Sequence, residues 1–205
     1  MTRALALLAV ALLSPPATAT TPPVVVELRI DGEPACAGLL VAPRVVLTAR
    51  HCVAQASALS VAYGGQDAPI EAIERSRVAG LAGDLALVRI ARAIAPATAA
   101  PSLPSLPSRD PAAGERVAVE RLARAPRSAA VIAVEDGVIY TTPSTCAGDS
   151  GAPLYAADGT LLGVASSRAP APCGAGTSVF IAIAPHRRWL AAYLGQSFFQ
   201  LGSPR

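Results

Sequence analysis

Three residues far apart in this sequence, His51, Asp84 and Ser150, are of the types that together make an alcohol reactive. A serine hydroxyl is a weak nucleophile until a neighbouring base takes its proton, and imidazole can act as that base. A carboxylate on the other imidazole nitrogen fixes the tautomer and stabilises the imidazolium. If the fold brings the three side chains together, the sequence predicts acyl transfer through a covalent acyl-enzyme.

The local sequence at each position suits this chemistry and also fits simpler explanations. Ser150 lies in the turn Gly148-Asp149-Ser150-Gly151, whose glycines can present a side chain and leave N–H groups free. Ordinary surface turns share that composition. His51 follows an apolar strand and could be a satisfied buried histidine, and Asp84 could cap a turn. We interpret the other histidine, His186, as an exposed residue at the start of a helix.

Short apolar segments separated by turn signals predict strands along most of the chain. They lie at residues 24–30, 38–42, 45–48, 59–63, 68–73, 85–90, 116–122, 129–134, 138–142, 152–156, 161–165 and 178–183. This pattern predicts an all-β sandwich or a pair of barrels. The proline-rich residues 95–113 predict an ordered crossover, with a flexible linker as the alternative. A helix is predicted to begin at Pro185 and to end at Gly195.

The N-terminus has the order of features that marks export. Arg3 precedes an apolar run over residues 4–13. Ser14-Pro15-Pro16 ends this run, and Ala17-Thr18-Ala19 then provides the small residues of a cleavage site. Residues 1–19 therefore predict a signal peptide, with a buried helix as the alternative. We expect the protein to be secreted or periplasmic, with no membrane association after signal removal.

Export makes disulfides the expected state of the four cysteines, Cys36, Cys52, Cys146 and Cys173. Four cysteines allow three pairings, and the residues alone do not choose among them. The alternative is a metal site, but the spacings are wide and no histidine pair is available. We expect neither a metal ion nor an organic cofactor.

Composition excludes several classes of protein. The chain has 205 residues, 52% of them hydrophobic and 15% charged, which suits one or two packed domains and not a disordered chain. The formal charge is +3, and every basic residue is an arginine at a scattered position. Neither nucleic-acid binding nor an anionic membrane surface is indicated. We expect a monomer.

Three stretches occur in a diagnostic order: Leu47-Thr48-Ala49-Arg50-His51-Cys52, then Asp84-Leu85-Ala86-Leu87, then Cys146-Ala147-Gly148-Asp149-Ser150-Gly151-Ala152-Pro153-Leu154. Together they resemble the chymotrypsin/trypsin family of serine endopeptidases. The order of histidine, aspartate and serine is that of this family, and the lipase and subtilisin orders differ. The resemblance covers nearly all of the mature chain.

The resemblance implies an all-β fold of two packed six-stranded antiparallel β-barrels with a C-terminal helix. The first barrel would occupy residues 20–98 and carry the histidine and aspartate. Residues 99–113 would be the crossover, and residues 114–205 would form the second barrel and the helix. The resemblance also supports the disulfides Cys36–Cys52 and Cys146–Cys173.

The roles implied for the site residues follow the family mechanism. Ser150 would attack the carbonyl of a protein or peptide substrate, and His51 would take its proton and return it to the leaving amine. Asp84 would orient the imidazole. The N–H groups of Gly148 and Ser150 would form the oxyanion hole.

Two departures from the family pattern concern the loop that carries Ser150. Ala152 replaces a usual glycine, a small change that we expect to be tolerated. In many members, cleavage frees an N-terminal ammonium that pairs with the residue equivalent to Asp149. No matching segment precedes Val24, so we expect Asp149 to have another partner or solvent, and no ammonium switch to operate.

A third departure concerns the substrate-binding residues that the resemblance implies, which are Ser144 and Ser178 in the specificity pocket and Ser166 and Arg168 in the strand that pairs with substrate. Ser144 stands at the floor, where trypsin-like members carry aspartate, so preference for arginine or lysine is not expected. Arg168 would narrow the pocket, attract an acidic side chain, or face solvent. We expect a small, apolar or acidic side chain to be preferred.

Two other functions remain open at this stage. A catalytically weak member of the family could act as a secreted binding protein, although such members usually lose a residue of the triad. An esterase or another acyl-transfer enzyme could use the same three residues.

Overall fold

The computed structural model of the chain describes residues 23–54, 58–94, 103–168 and 173–201. The predicted signal peptide and residues 95–102 of the predicted crossover lie outside the described residues. The strands predicted from the sequence are all present, with ends that differ by a few residues.

The first six strands close into one antiparallel barrel, in the order β1-β2-β3-β6-β5-β4. Alternation of apolar and polar residues specifies their inner and outer faces, as in β1, where Val26 and Leu28 are buried and their neighbours are partly exposed. The strands are β1 (Val25–Ile30), β2 (Glu33–Ala42), β3 (Val45–Thr48), β4 (Leu59–Tyr63), β5 (Gln66–Arg75) and β6 (Ala86–Ile90).

The last six strands form a second closed antiparallel barrel with the same order, β7-β8-β9-β12-β11-β10. They are β7 (Arg116–Arg121), β8 (Arg124–Glu135), β9 (Val138–Thr141), β10 (Pro153–Ala156), β11 (Leu161–Arg168) and β12 (Ser178–Ala182). The predicted fold class, two packed six-stranded antiparallel barrels with a C-terminal helix, is therefore confirmed.

The apolar side chains form one core inside each barrel and a third core between the barrels. In the third core, Leu47 and Leu87 of the first barrel pack with Val164 and Ile181 of the second. Leu190 of the C-terminal helix joins the same core. This shared apolar layer fixes the barrels against each other, so the cleft between them has a defined shape.

The C-terminal helix differs from the prediction at its end. A single 3-10 turn, Ala184–His186, leads into helix α1 (Arg187–Leu201), which continues past Gly195. A glycine inside a helix costs only about 1 kcal/mol relative to alanine, and it ends a helix reliably only where the chain turns left-handed. Among the described residues, none of the helices has the length and apolar character needed to cross a membrane.

Both disulfides have the pairing that the resemblance implied. Cys36 on β2 is bonded to Cys52, in the 3-10 turn that follows β3, and Cys146 is bonded to Cys173. The first bridge fixes the segment that carries His51. The second bridge holds Cys146, which lies at the start of the loop that carries Ser150.

Candidate active site

Asp84 lies at the end of a compact loop between β5 and β6. A 3-10 turn, Leu81–Gly83, precedes it, and the Asp84 N–H donates to the Leu81 carbonyl at 2.9 Å. Gly83 has no room for a side chain, because a Cβ atom there would run into the carbonyl oxygen of Val78. The aspartate side chain is 14% exposed and faces the cleft segment that carries His51.

The Asp84 carboxylate contacts His51 through both of its oxygens. The imidazole Nδ1 lies 2.7 Å from Oδ2, and the backbone N–H of His51 donates to Oδ1 at 2.8 Å. A carboxylate only accepts hydrogen bonds, so Nδ1 carries the proton and Nε2 presents its lone pair. The hydrogen bond with Asp84 raises the pKa of His51, against the opposing effect of burial.

A third donor reaches the same carboxylate from the second barrel. The Ser166 hydroxyl on β11 donates to Oδ2 of Asp84 at 2.6 Å. Burial alone would raise the pKa of Asp84, but the hydrogen bonds from His51 and Ser166 outweigh it and lower the pKa. Asp84 is therefore held as an anion by groups from both barrels.

Ser150 lies in the cleft and is hydrogen-bonded to both barrels. Its carbonyl accepts from the N–H of Ala37 on β2 at 2.7 Å, and its hydroxyl donates to the Ser166 carbonyl at 3.3 Å. The Nε2 atom of His51 lies 3.6 Å from the Cys52 sulfur. Ser150, Ser166, Asp84 and His51 thus form one continuous set of contacts. Within it, the Ser150 hydroxyl is bonded to a carbonyl and not to the imidazole.

The turn before Ser150 requires a glycine for conformational reasons. Gly148 has φ +87°, and the Asp149 N–H closes the turn on the Cys146 carbonyl at 3.1 Å. Space is not the constraint, because a Cβ atom at Gly148 would meet nothing within 4 Å. In the part of the chain that the structure describes, the N–H groups of Gly148 and Ser150 donate to no protein acceptor. They are available to an external oxygen.

Asp149 has a cationic partner within the second barrel. Arg121, at the end of β7, places Nε 3.2 Å from Oδ2 of Asp149, and the two side chains are 8% and 6% exposed. The arginine N–H is not aligned for a hydrogen bond, so this is a charge contact. The same Oδ2 accepts the Cys146 N–H at 2.8 Å, and the guanidinium reaches the Cys146 sulfur at 3.9 Å. The expectation that Asp149 would have another partner is met by Arg121.

Gly151 lies against the first barrel, beside Ser150. A Cβ atom there would run into the carbonyl oxygen of Ala37 and the Thr48 hydroxyl, which are hydrogen-bonded to each other at 2.8 Å. Its φ is +88°, which other residues rarely adopt. The glycine therefore allows the Ala37–Ser150 hydrogen bond to form.

We expect Gly151→Ala to lower the Tm strongly, because the added methyl group would push Ser150 away from the first barrel. Gly159→Ala is the matched control, since Gly159 has φ +82° with nothing within 4 Å of a Cβ atom. In the control, the free energy of unfolding should fall only by the cost of placing alanine at a positive φ, about 1–2 kcal/mol. Equal losses of Tm in the two variants would contradict the close approach.

A buried hydroxyl cluster occupies the position predicted for the specificity pocket. Ser178 Oγ accepts from the N–H groups of Ser144 and Thr145 at 2.9 and 3.0 Å, and from the Thr145 hydroxyl at 2.9 Å. Ser144 and Ser178 are 0% and 2% exposed. Arg168 is paired with Ser178 across β11 and β12, and its side chain lies outside the described part of the structure. The two residues predicted for the floor and the wall, Ser144 and Ser178, carry uncharged hydroxyl groups.

A groove of about 950 Å³ passes Gly148 and Asp149. Both barrels line it, with Glu27 and Tyr63 from the first and Leu122 and Arg124 from the second.

His186 is not the exposed helix-end residue that the sequence predicts. It is 2% exposed, and its ring is hydrogen-bonded to Ser76 and Ala82 of the first barrel. Burial lowers its pKa, against the opposing hydrogen bond to Ala82. The basic neighbours Arg187 and Arg188 are exposed. Successive side chains of a helical turn point in directions about 100–120° apart, so the imidazole is buried while both arginines face solvent.

Cys36, His51 and Cys52 present ligand atoms within 4.8 Å of one another, which could suggest a metal site. Both sulfur atoms belong to the Cys36–Cys52 disulfide, so neither is available as a thiolate. The group offers one imidazole nitrogen, and that nitrogen belongs to the arrangement with Asp84.

The structure brings most of the predicted site residues together. His51, Asp84, Ser150, Gly148 and Ser166 meet at the cleft, and Ser144 and Ser178 lie together nearby. Sequence reasoning missed Arg121, the Asp84 contact of Ser166 and the inner position of His186. The one available signal for Arg121 is register, because it shares a face of β7 with the buried Val117 and Val119.

Two closed six-stranded barrels with this cleft define the chymotrypsin-like fold, and comparisons with known proteins agree. The family model described as Trypsin matches residues 14–190. None of the curated proteins matches the chain. Solved structures of serine proteases and related proteins match over most of their length.

Three of these structures illustrate the likeness. Human heparin binding protein is 25% identical, with a TM-score of 0.70, over 83% of this chain and 91% of that one. Kallikrein-related peptidase 10 in complex with Zn²⁺ is 23% identical, with a TM-score of 0.70, over 88% and 98%. Neuropsin, a serine protease of mouse brain, is 20% identical, with a TM-score of 0.68, over 83% and 93%. This chain therefore belongs to the trypsin family of serine proteases.

Proposed function

We propose that this protein is an active serine endopeptidase in which Ser150 is the nucleophile, His51 the base and Asp84 the residue that orients it. The observation that carries the proposal is the fixed His51 tautomer. Asp84 accepts the Nδ1 proton at 2.7 Å, so Nε2 is free to accept the proton of the nucleophile.

The reaction begins with a rotation of the Ser150 side chain. Its hydroxyl leaves the Ser166 carbonyl and donates to Nε2 of His51, a change between staggered rotamers about χ1. The oxygen then attacks the substrate carbonyl carbon while Nε2 takes the proton. The N–H groups of Gly148 and Ser150 bind the resulting oxyanion.

The covalent intermediate breaks down in two steps. The tetrahedral adduct expels the amine, which takes the proton from Nε2, and leaves an ester on Ser150. Water then attacks this ester as His51 takes one of its protons, and the acid leaves as Ser150 regains a hydrogen. Asp84 remains an anion throughout and stabilises the imidazolium.

We further propose that no N-terminal ammonium is needed to order the loop of Ser150. The Asp149 carboxylate has Arg121 and the Cys146 N–H as partners within the second barrel. A guanidinium keeps its charge throughout the pH range in which proteins are folded. Secreted protein that is inert until it is cut between residues 20 and 26 would contradict this proposal.

Labelling with a serine-directed phosphonate tests the main proposal. We expect one label per chain, on Ser150, at a rate that rises with pH as His51 loses its proton. Because Asp84 raises the pKa of His51, the midpoint should lie above the ordinary histidine pKa of 6.5. Ser150→Ala and His51→Ala are the controls and should not be labelled. Absence of label in the folded wild-type protein would refute catalytic competence.

The uncharged hydroxyl cluster supports a preference for small or apolar side chains at the residue before the cleaved bond. We expect Ser178→Gly to shift cleavage of a peptide library toward larger side chains, because the change removes the Ser178 Oγ that fills this wall. Ser60→Gly, in β4 of the other barrel, is the control. Wild-type cleavage mainly after arginine or lysine would contradict the preference.

The second candidate function is binding without efficient catalysis. It is favoured by the Ser150 hydroxyl being bonded to Ser166 and by the likeness to a protein named for heparin binding. Stoichiometric labelling would exclude it. Comparing turnover of matched amide and ester substrates would separate a peptidase from an esterase.

We propose export across a membrane on the basis of residues 1–19 and the two disulfides. Disulfides persist in oxidising compartments and are rare in the cytosol. The mature protein would meet its protein or peptide substrates outside the cytosol.

A further inference from the structure

The loop that carries Asp84 is exposed over much of its length. Residues 77–81 are exposed, and backbone bonds close the loop on itself, from Ser76 N to Leu85 O at 2.9 Å and from Gly83 N to Gly80 O at 3.1 Å. A loop of this kind shifts readily unless something outside it fixes its position. Asp84 must keep a 2.7 Å contact with His51 at the end of this loop.

His186 of the second barrel is bonded to both halves of that loop. Its Nε2 lies 2.9 Å from the Ala82 carbonyl, two residues before Asp84, and its Nδ1 lies 3.1 Å from the Ser76 hydroxyl. A carbonyl only accepts, so Nε2 carries the proton, and Nδ1 accepts from the serine hydroxyl. The hydroxyl in turn accepts the Val78 N–H at 3.2 Å.

We propose that His186 is a positioning residue that holds the Asp84 loop against the second barrel and so sets the contact between Asp84 and His51. This inference rests on the proposed function. The imidazole does not touch substrate or the reacting atoms, and it acts only through Ala82 and Ser76.

The connection from His186 to Asp84 is short and rigid. Ala82 lies within the 3-10 turn Leu81–Gly83, and Asp84 is bonded back to this turn through the Leu81 carbonyl. The turn is packed tightly, because Gly83 lies against the Val78 carbonyl. A displacement of the Ala82 carbonyl is therefore transmitted to Asp84 and not absorbed between them.

Two substitutions separate the hydrogen bonds of His186 from its volume. His186→Gln places an amide N–H near the position of Nε2 and keeps a donor for Ala82. His186→Phe keeps a ring of similar size and loses both hydrogen bonds. The primary readout is the titration of the His51 imidazole by NMR without substrate, and the second is the kinetics on a peptide substrate.

We expect His186→Phe to lower the midpoint of the His51 titration toward 6.5, because a displaced Asp84 no longer supports the imidazolium as well. The kcat should fall about ten- to a hundredfold with little change in KM, since a small misplacement of a catalytic group has that effect. His186→Gln should stay close to the wild type in both readouts.

Unchanged His51 titration in His186→Phe would overturn the proposal, as would equal changes in the Gln and Phe variants. If the Phe variant does not fold, Ser76→Ala removes the Nδ1 partner, together with the acceptor of the Val78 N–H, and keeps the bond to Ala82. It should shift the titration in the same direction by less. No shift there would equally overturn the proposal. The titration needs no turnover, so it tests the role of His186 even if the protein hydrolyses no peptide.

Discussion

Arg121→Met should reduce peptide hydrolysis and phosphonate labelling by at least about a hundredfold, the scale of losing one oxyanion donor. The guanidinium is the cation that faces the buried Asp149 carboxylate, and that carboxylate lies between Gly148 and Ser150 in the chain. Without it the anion is left uncompensated, which typically costs about 3–5 kcal/mol for a buried pair. The loop can relieve this cost by turning Asp149 toward solvent, which displaces the N–H groups on either side. Initial rates, labelling rates and Tm measure the effects.

Arg116→Met is the matched control, because Arg116 begins the same strand, β7, and is exposed. It should leave all three measurements within a small factor of the wild type. Adding Asp149→Asn to Arg121→Met should recover part of the lost Tm, since no charge then remains unpaired. Full activity in Arg121→Met would show that the ion pair does not order the loop. A Tm for the double variant below that of Arg121→Met would argue against charge pairing as the cause.

Asp84→Asn should lower kcat by roughly 10⁴-fold with little effect on folding, because the triad aspartate fixes the reactive tautomer of the histidine. The asparagine can present its amide N–H to Nδ1 of His51 and so move the imidazole proton to Nε2, where it blocks proton transfer from Ser150. The pH dependence should change as well, because the raised pKa of His51 depends first on Asp84. Steady-state kinetics and the NMR titration of His51 measure both effects.

Asp136→Asn controls for the loss of a carboxylate elsewhere. Asp136 occupies an exposed turn with φ 47°, a conformation that asparagine also adopts. This variant should match the wild type. If Asp84→Asn retained more than about a tenth of the wild-type kcat, the triad assignment would fail.

Local patterns in the sequence predict the strands well because alternation is a direct result of packing one face of a strand in a core. In β1, Val26 and Leu28 are buried and Glu27 and Arg29 are not, as their types require. The closed order of the barrels and the disulfide pairing came from the family resemblance. No local property of the cysteines could have chosen among three pairings.

The contacts that sequence reasoning missed join residues distant in the chain. Arg121 reaches Asp149, and His186 reaches Ala82, through the folding of one barrel and the packing of two. From the sequence alone, an arginine or histidine in a mostly apolar segment is interpreted as facing solvent, because charged residues are rarely buried without a partner. Ser166 was predicted to lie in the strand that pairs with substrate, and the bond of its hydroxyl to Asp84 is a contact that the sequence did not indicate.

The shared strand order has a consequence for how the chain folds. In each barrel the third strand pairs with the sixth, so the fourth and fifth strands must be made before the third gains its second neighbour. When such distant strands pair, the chain first loses the conformational entropy of a long loop, and the stabilising contacts form only afterwards. We expect folding in milliseconds to seconds, with the third and ninth strands exposed as unpaired edges during synthesis. A chaperone that shields apolar edges would therefore have most effect on this protein before its last strand emerges.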